Sequence, residues 1–290
     1  MTAFLGSCSG LTPQRLRSVR YQRLSRDVYL LRGQEPDLRT RCVGALLALR
    51  DAVPCQRTAA ILQRLPVDDD GLLHLARPPG APRSERPGVR IHRTPVDADE
   101  LLDLDGLAVT DGPRTFVDLA AHLNLEALVA LGDVVLRRYD ASALRQAVER
   151  RPGRRGLKLA RRALPLLDGR SASPAESRAR LRLHAAGFDR FQHGVVVRDE
   201  AGGWLAEPDL ADQVARVAVQ HDGLVHLLGD PRQRRSDLQR DELTRQAGWQ
   251  VVVSTALDDQ RPELLLQKVS AAYRRAAALL GPEVLPAHLR

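Results

Sequence analysis

Lysine, isoleucine, methionine and asparagine are almost missing from this 290-residue sequence. It holds two lysines (Lys158 and Lys268), two isoleucines (Ile61 and Ile91), one methionine and one asparagine, Asn124. Arg, Ala, Leu and Val take their places, the skew that a GC-rich genome imposes, so abundant arginine is in itself no sign of function. Cysteine is scarce too: Cys8, Cys42 and Cys55 share no metal-binding spacing, and their odd number argues against a disulfide framework. Aromatic residues make up 3%, too few for a platform that stacks the bases of single strands. No run approaches about eighteen apolar residues, which excludes a membrane-spanning helix. The opening MTAFLGSCSGLTPQR has neither a basic n-region nor a sustained apolar stretch, so no secretory signal and a cytoplasmic location are expected. With 43% apolar and 28% charged residues, the chain has the composition of one large domain or two ordinary ones, not of a disordered protein.

The net charge of +8 comes from 44 basic and 36 acidic residues, unevenly spread. Between Arg137 and Arg182 stand fourteen basic residues and four acidic ones (Asp140, Glu149, Asp168, Glu176), a net of +10, and the rest of the chain sums to −2. A local excess of this kind is the footprint of a phosphate-binding surface. Inside it, RRGLKLARRALPLLD repeats Leu157, Ala160, Leu164 and Leu167 at helical spacing, with Arg154, Arg155, Lys158, Arg161 and Arg162 mostly opposite. That pattern fits a solvated face bordering a core and equally a face that tracks phosphates; few acidic residues interrupt it.

The first segment, Leu11 to Val19, predicts a helix with Thr12 as cap and Pro13 at its first position, and Tyr21 to Leu31 turns β-rich. A small helical module with a β-wing, of the kind that contacts DNA, fits this stretch, as does a generic start to an α/β domain. Helices are expected over Asp37–Leu49, Thr58–Leu65, Leu125–Leu136 and Ala141–Val148, with strands at LLHLA, GVRIHRT and GLAVT. Past Gly169 the texture changes. A helix over Ser173–His184 leads to strands at Val195–Arg198, Gly203–Pro208, Val214–Gln220 and Trp249–Ser254, with helices at Arg234–Ala247 and Pro262–Leu280. The last 120 or so residues therefore read as an α/β sandwich with its own core, with a boundary near residue 168.

The strand over Trp204–Asp209 ends in Glu207 and Asp209, two apart and so on one face; the next ends in Gln220–His221–Asp222–Gly223, with His226 close behind. If these strands are neighbours, Asp209 and Asp222 meet at a sheet edge, where two carboxylates can hold Mg²⁺ and activate water against a phosphate. Strand-end Asp and Gly also occur for purely conformational reasons. Glu176, three residues after Ser173 with Pro174 between, is equally a capping box. Arg240 and Asp241 suit a solvated helix, and Trp249 suits a core.

The ordered series SPAESR with Glu176, PDL with Asp209, VAVQHDG with Asp222, Gly223 and His226, then DLQRDELTRQAGWQVV, covers roughly residues 171–280. It resembles the very-short-patch-repair (Vsr)-like endonuclease domain of the restriction-endonuclease (PD-(D/E)XK) superfamily, common in high-GC actinobacteria. Upstream, LTPQRLR, RDVYL, TAAIL and DGLAVTDGPRTFVDLA are similar to the AbiEi-type antitoxin region often fused to such domains, and RRGLKLARRAL fits its linker helix. The resemblance implies a metal-binding aspartate at Asp209, a second acidic position at Gln220, a third at Asp222 and a histidine at His226. Gln220 departs from the usual Glu and lacks its charge; Glu207 offers a replacement carboxylate.

The expected fold is α/β: a C-terminal restriction-endonuclease-like mixed sheet flanked by helices (169–290), after a mainly helical α+β region (1–168). That region divides into a winged-helix module (1–75), an α/β middle (76–136) and a basic helical linker (137–168). The expected function is DNA binding with a Mg²⁺-dependent endonuclease or nickase site, a phosphodiester hydrolase altered at Gln220. The alternatives are a non-catalytic regulator of toxin–antitoxin type, with DNA and a toxin protein as partners, and a scaffold with a vestigial nuclease fold. Asp209, Asp222 and Glu207 are the candidate metal ligands; Asp209, Gln220, Asp222, His226 and Glu176 the candidate catalytic set; Arg154, Arg155, Lys158, Arg161 and Arg162 the candidate DNA contacts.

Overall fold

The computed structural model describes residues 3–33, 35–199, 201–222 and 241–290, with only the backbone of residue 222. The chain forms two compact units, Met1–Pro165 and Leu166–Arg290, both of mixed α/β character.

The first unit opens with β1 (Phe4–Leu5), α1 (Pro13–Leu16), β2 (Tyr21–Ser25) and β3 (Val28–Leu31), whose strands form an antiparallel sheet in the order β1-β3-β2. Thr12 caps α1 by accepting the Arg15 N–H at 3.3 Å, but the helix is a single turn rather than the longer one its periodicity predicts. Asp37 caps α2 (Leu38–Ala48), which buries Cys42, Gly44 and Ala45. A second sheet joins β4 (Val53–Pro54), β5 (Leu73–Arg77) and β6 (Val89–Arg93), antiparallel and then parallel, with α3 (Gln56–Leu62) between its first two strands. The hairpin of β7 (Leu101–Leu104) and β8 (Leu107–Thr110) turns on Asp105–Gly106, both at positive φ, as a two-residue turn matched to strand twist requires. Cys42, Ala45, Leu49, Ala59, Leu73, Leu75, Leu107 and Val109 make a common core.

Four helices complete the unit: α4 (Gly112–Leu119), α5 (Leu125–Leu136), α6 (Ala141–Glu149) and α7 (Leu157–Ala163). Asp111, Asn124 and Asp140 cap the first three, each side chain accepting a backbone N–H three residues on. Every residue of α4 is buried, including Arg114 and Asp118.

The second unit begins with α8 (Pro174–Ala185), followed by a hairpin of β9 (Val197–Arg198) and β10 (Trp204–Ala206). Its main sheet has the order β11 (Leu210–Asp212), β12 (Val217–Asp222), β13 (Gln250–Thr255), antiparallel and then parallel. Val217, Ala218 and Val219 are all buried, as a near-continuous apolar run implies. After the short α9 (Ala256–Gln260), α10 (Pro262–Leu280) packs on β12 and β13 with Leu265, Val269, Ala272, Tyr273 and Ala276, a stripe at helical spacing. Beneath them Asp212, fully buried, accepts from Tyr273 Oη at 2.5 Å, Arg190 Nε at 2.8 Å and the N–H groups of Val214 and Ala215. The carboxylate is thus fully bonded and ties α10 to the sheet.

Candidate functional site

The sheet edge of the second unit brings together part of the expected constellation. Asp209 directly precedes β11, and the register Leu210↔Val219 sets it level with Gln220 of the antiparallel β12. Its Oδ2 accepts the His221 N–H at 2.5 Å, which fixes the carboxylate against the neighbouring strand. Asp222 closes β12 in register with Thr255 of β13. Its side chain, along with His226, Asp237 and Arg240, lies outside the described residues. Glu207 does not share a strand with Asp209, contrary to the expected strand over Trp204–Asp209. β10 stops at Ala206 and pairs with β9, and Pro208, which has no N–H to donate, separates the two sheets. Glu207 is exposed in this break, whereas Asp209 is half-buried.

Glu176 is the third residue of α8 and steadies its start, though not through the reciprocal bond to the cap Ser173 that a capping box requires. Its N–H donates to Ser173 Oγ at 3.2 Å, and its carboxylate accepts the Ala172 N–H at 2.8 Å. It also lies 4.0 Å from a residue that the sequence did not single out, His193. Buried to 3% exposure, His193 donates Nδ1–H to the Asp209 carbonyl at 2.6 Å. Burial pushes its pKa down despite that carbonyl and the nearby Asp168 and Glu176, which favour the proton. The neutral ring then turns Nε2 inward as a bare acceptor, and no donor reaches it among the described residues. Gln192, next to it, exchanges both backbone hydrogen bonds with Ala211, at 3.0 and 2.9 Å, so this loop extends the sheet beside β11. A lone Gln–His–Gly in a loop carries no periodicity, so only the pairing with Ala211 reveals it.

The basic block divides into paired and unpaired arginines. Gly156 starts α7 at φ +90°, and a Cβ there would meet the Ala121 nitrogen at 2.4 Å, so only glycine lets the helix approach the end of α4 so closely. Leu157, Ala160 and Ala163 face inward. Arg155, Lys158, Arg161 and Arg162 are exposed and meet no carboxylate among the described residues. Arg154 differs. It pairs with the buried Asp118 at 2.7 Å, and burial pulls its pKa down. Arg150 holds Asp99 at 2.7 Å, Arg151 holds Glu100, and Arg178 and Arg182 both hold Asp259. These partners give much of the +10 band a structural role.

The N-terminal module presents a further cationic surface, a cavity of about 680 Å³ lined by Arg17, Arg23, Arg32, Tyr21 and Tyr29 among others. Among the described residues no three His, Cys, Asp or Glu side chains are grouped to hold a metal ion. Cys42 and Cys55 are buried, which pushes both thiols up, Cys42 to about 12, so neither is primed as a nucleophile.

No protein-family model matches the chain. Two proteins of Mycobacterium tuberculosis are similar to it: uncharacterized protein MT2308 of strain CDC 1551 / Oshkosh and uncharacterized protein Rv2248 of strain ATCC 25618 / H37Rv. Each is 31% identical over 240 residues, which cover 80% of this chain and 84% of the mycobacterial one. The chain belongs to the same family as these two mycobacterial proteins.

Proposed function

We propose that the protein acts on duplex DNA, with α7 gripping phosphates and the unit Leu166–Arg290 forming a restriction-endonuclease-like domain of the very-short-patch-repair type behind an AbiEi-like region. The observation that carries the reading is the row of Arg155, Lys158, Arg161 and Arg162. Three exposed cations on one short helix and a fourth, Arg155, just before its cap, without carboxylate partners among the described residues, suit a polyanion. The order β11-β12-β13 with Asp209 level with Gln220 supports a nuclease-type sheet edge. Mg²⁺ takes hard oxygen ligands, and Asp209 and Gln220 alone bring one carboxylate and one amide, so Asp222 would have to complete the set. When bound, such an ion supplies an activated water and a counter-charge for a scissile phosphate. The residues' own part is to fix Asp209, through the His221 N–H on its carboxylate and His193 on its carbonyl.

A second reading, a non-catalytic DNA-binding regulator of toxin–antitoxin type, is favoured by the neutral Gln220 beside an Asp209 already bonded to backbone. One experiment separates the two. Purified protein is incubated with duplex DNA and Mg²⁺ or Mn²⁺, and cleavage and binding are read together for wild type, Asp209→Asn and Gln220→Glu. Cleavage lost in Asp209→Asn with affinity retained supports the nuclease. Salt-sensitive binding with no cleavage by either metal supports the regulator, and cleavage gained by Gln220→Glu marks decay at one position. Absence of binding even at low salt removes both.

A further inference from the structure

A shallow, wide-open depression of about 590 Å³, called the cleft below, lies in the first unit between the end of β6 and the turn that joins α6 to α7. Arg93 and Thr94 line one side, and Arg150, Arg151, Gly153 and Arg154 the other; no carboxylate lines it among the described residues. We propose that this cleft is a binding site for a phosphate group, distinct from the exposed row on α7 and assigned to no function above.

Each guanidinium is held from behind. Arg93 Nη1 donates to the Pro79 carbonyl at 2.8 Å, Arg150 pairs with Asp99 at 2.7 Å, Arg151 with Glu100, and Arg154 with Asp118 at 2.7 Å. Glu100 and Asp118 are themselves buried, and Arg114, 1% exposed, bonds both. The arginines are therefore orientated before a ligand arrives, which removes much of the ordering cost that weakens binding by mobile surface side chains. Their anchors do not use every donor. Arg151 Nε is buried with no acceptor, and a guanidinium offers five N–H groups in a planar fork that matches phosphate oxygens. Arg93 meets no carboxylate among the described residues, so its charge is left over at the edge of the surface. A dianionic or diester phosphate supplies what is lacking: tetrahedral acceptors and negative charge. Gly153, at φ +80°, keeps the turn free of a side chain at the floor.

The phosphate belongs either to a polynucleotide backbone or to a free phosphate compound, and one variant distinguishes them. Arg93→Gln/Arg150→Gln removes the two guanidiniums whose residues are exposed, and an unchanged far-UV spectrum checks that the fold is kept. Arg274→Gln/Arg275→Gln serves as a control of equal charge. Full-length protein is titrated with inorganic pyrophosphate at constant ionic strength while Tm is followed, and with duplex DNA over a range of salt. The site is upheld if pyrophosphate raises Tm saturably and the cleft variant weakens it by about tenfold or more. It is equally upheld, with nucleic acid as the source, if the cleft variant but not the control lowers the salt slope of DNA binding by about 2. A pyrophosphate response in a protein that binds no DNA leaves the site standing and removes the DNA reading. If pyrophosphate has no effect and the two variants bind DNA alike, the proposal is overturned.

Discussion

His74 and His92 set one another's tautomers. The Gln56 amide donates to His92 Nδ1 at 3.1 Å, so His92 carries its proton on Nε2 and donates it to His74 Nδ1 at 3.0 Å; His74 Nε2–H then meets the Asp70 carboxylate at 3.0 Å. A second proton on either ring would place two N–H groups face to face. Burial, and then His74, His122, Arg90 and Arg154, push His92 down to about 4, against about 6.5 in the unfolded chain. The unfolded state therefore binds the proton first. The stability this chain contributes is complete above pH ~6.5 and is lost as the pH falls from there towards ~4. Tm measured across this window should fall less steeply in His92→Gln than in the wild type; parallel curves would show that the ring is not the sensor. Arg114 makes the companion case. It is the shared partner of Glu100, at 2.6 Å, and Asp118, at 2.8 Å. Arg114→Met strands two buried carboxylates, and urea unfolding should register a loss of about 3–5 kcal/mol; a loss below about 1 kcal/mol would mean that Arg151 and Arg154 suffice.

Among the elements, α7 separates what is structural from what is available. Neutralising Arg155, Lys158, Arg161 and Arg162 to Gln should make the salt slope of DNA binding shallower by up to about 3–4 while leaving Tm nearly unchanged. An unchanged slope would free the helix of any phosphate role. Arg154 belongs outside that set, since it holds Asp118. Sequence periodicity could not separate it from its neighbours, because nothing in the spacing shows which arginine meets a carboxylate buried on another helix. Capped helices were the most legible elements. α5 and α10 span Leu125–Leu136 and Pro262–Leu280, the bounds that their apolar period predicts. Short strands were the least legible. β11 is three residues long and starts just after Pro208, so Asp209 was read as the end of one strand when it stands before the next. At the site, the Ser173–Glu176 cap could be read from spacing, whereas His193 is significant only through the folded loop beside Ala211.

On the scale of the molecule, the +8 that the composition shows is a poor descriptor, since its arginines are shared between buried ion pairs and an open helical face. Leu183, Phe188, Phe191, Val217, Val219, Val252, Leu265, Val269 and Tyr273 form a cluster wholly within Leu166–Arg290. That segment, produced alone, should unfold in one cooperative thermal transition with far-UV helical signal; a broad, featureless melt would show that it depends on the first unit. The order of the units along the chain also has a consequence in time. All of Met1–Pro165 is synthesised before Leu166, and at about 5–20 residues per second the ribosome then needs on the order of 10 s for the remainder, time in which the first unit can emerge and begin to fold. The second unit has no such head start. Its β12 waits for β13, and both wait for α10, the last long helix to emerge, so its sheet edge is open to wrong partners until synthesis is nearly over. A nascent chain in this family can thus bring out its arginine-lined surface and cationic helix while β13 and α10, which complete the sheet beside Asp209, are still to be made.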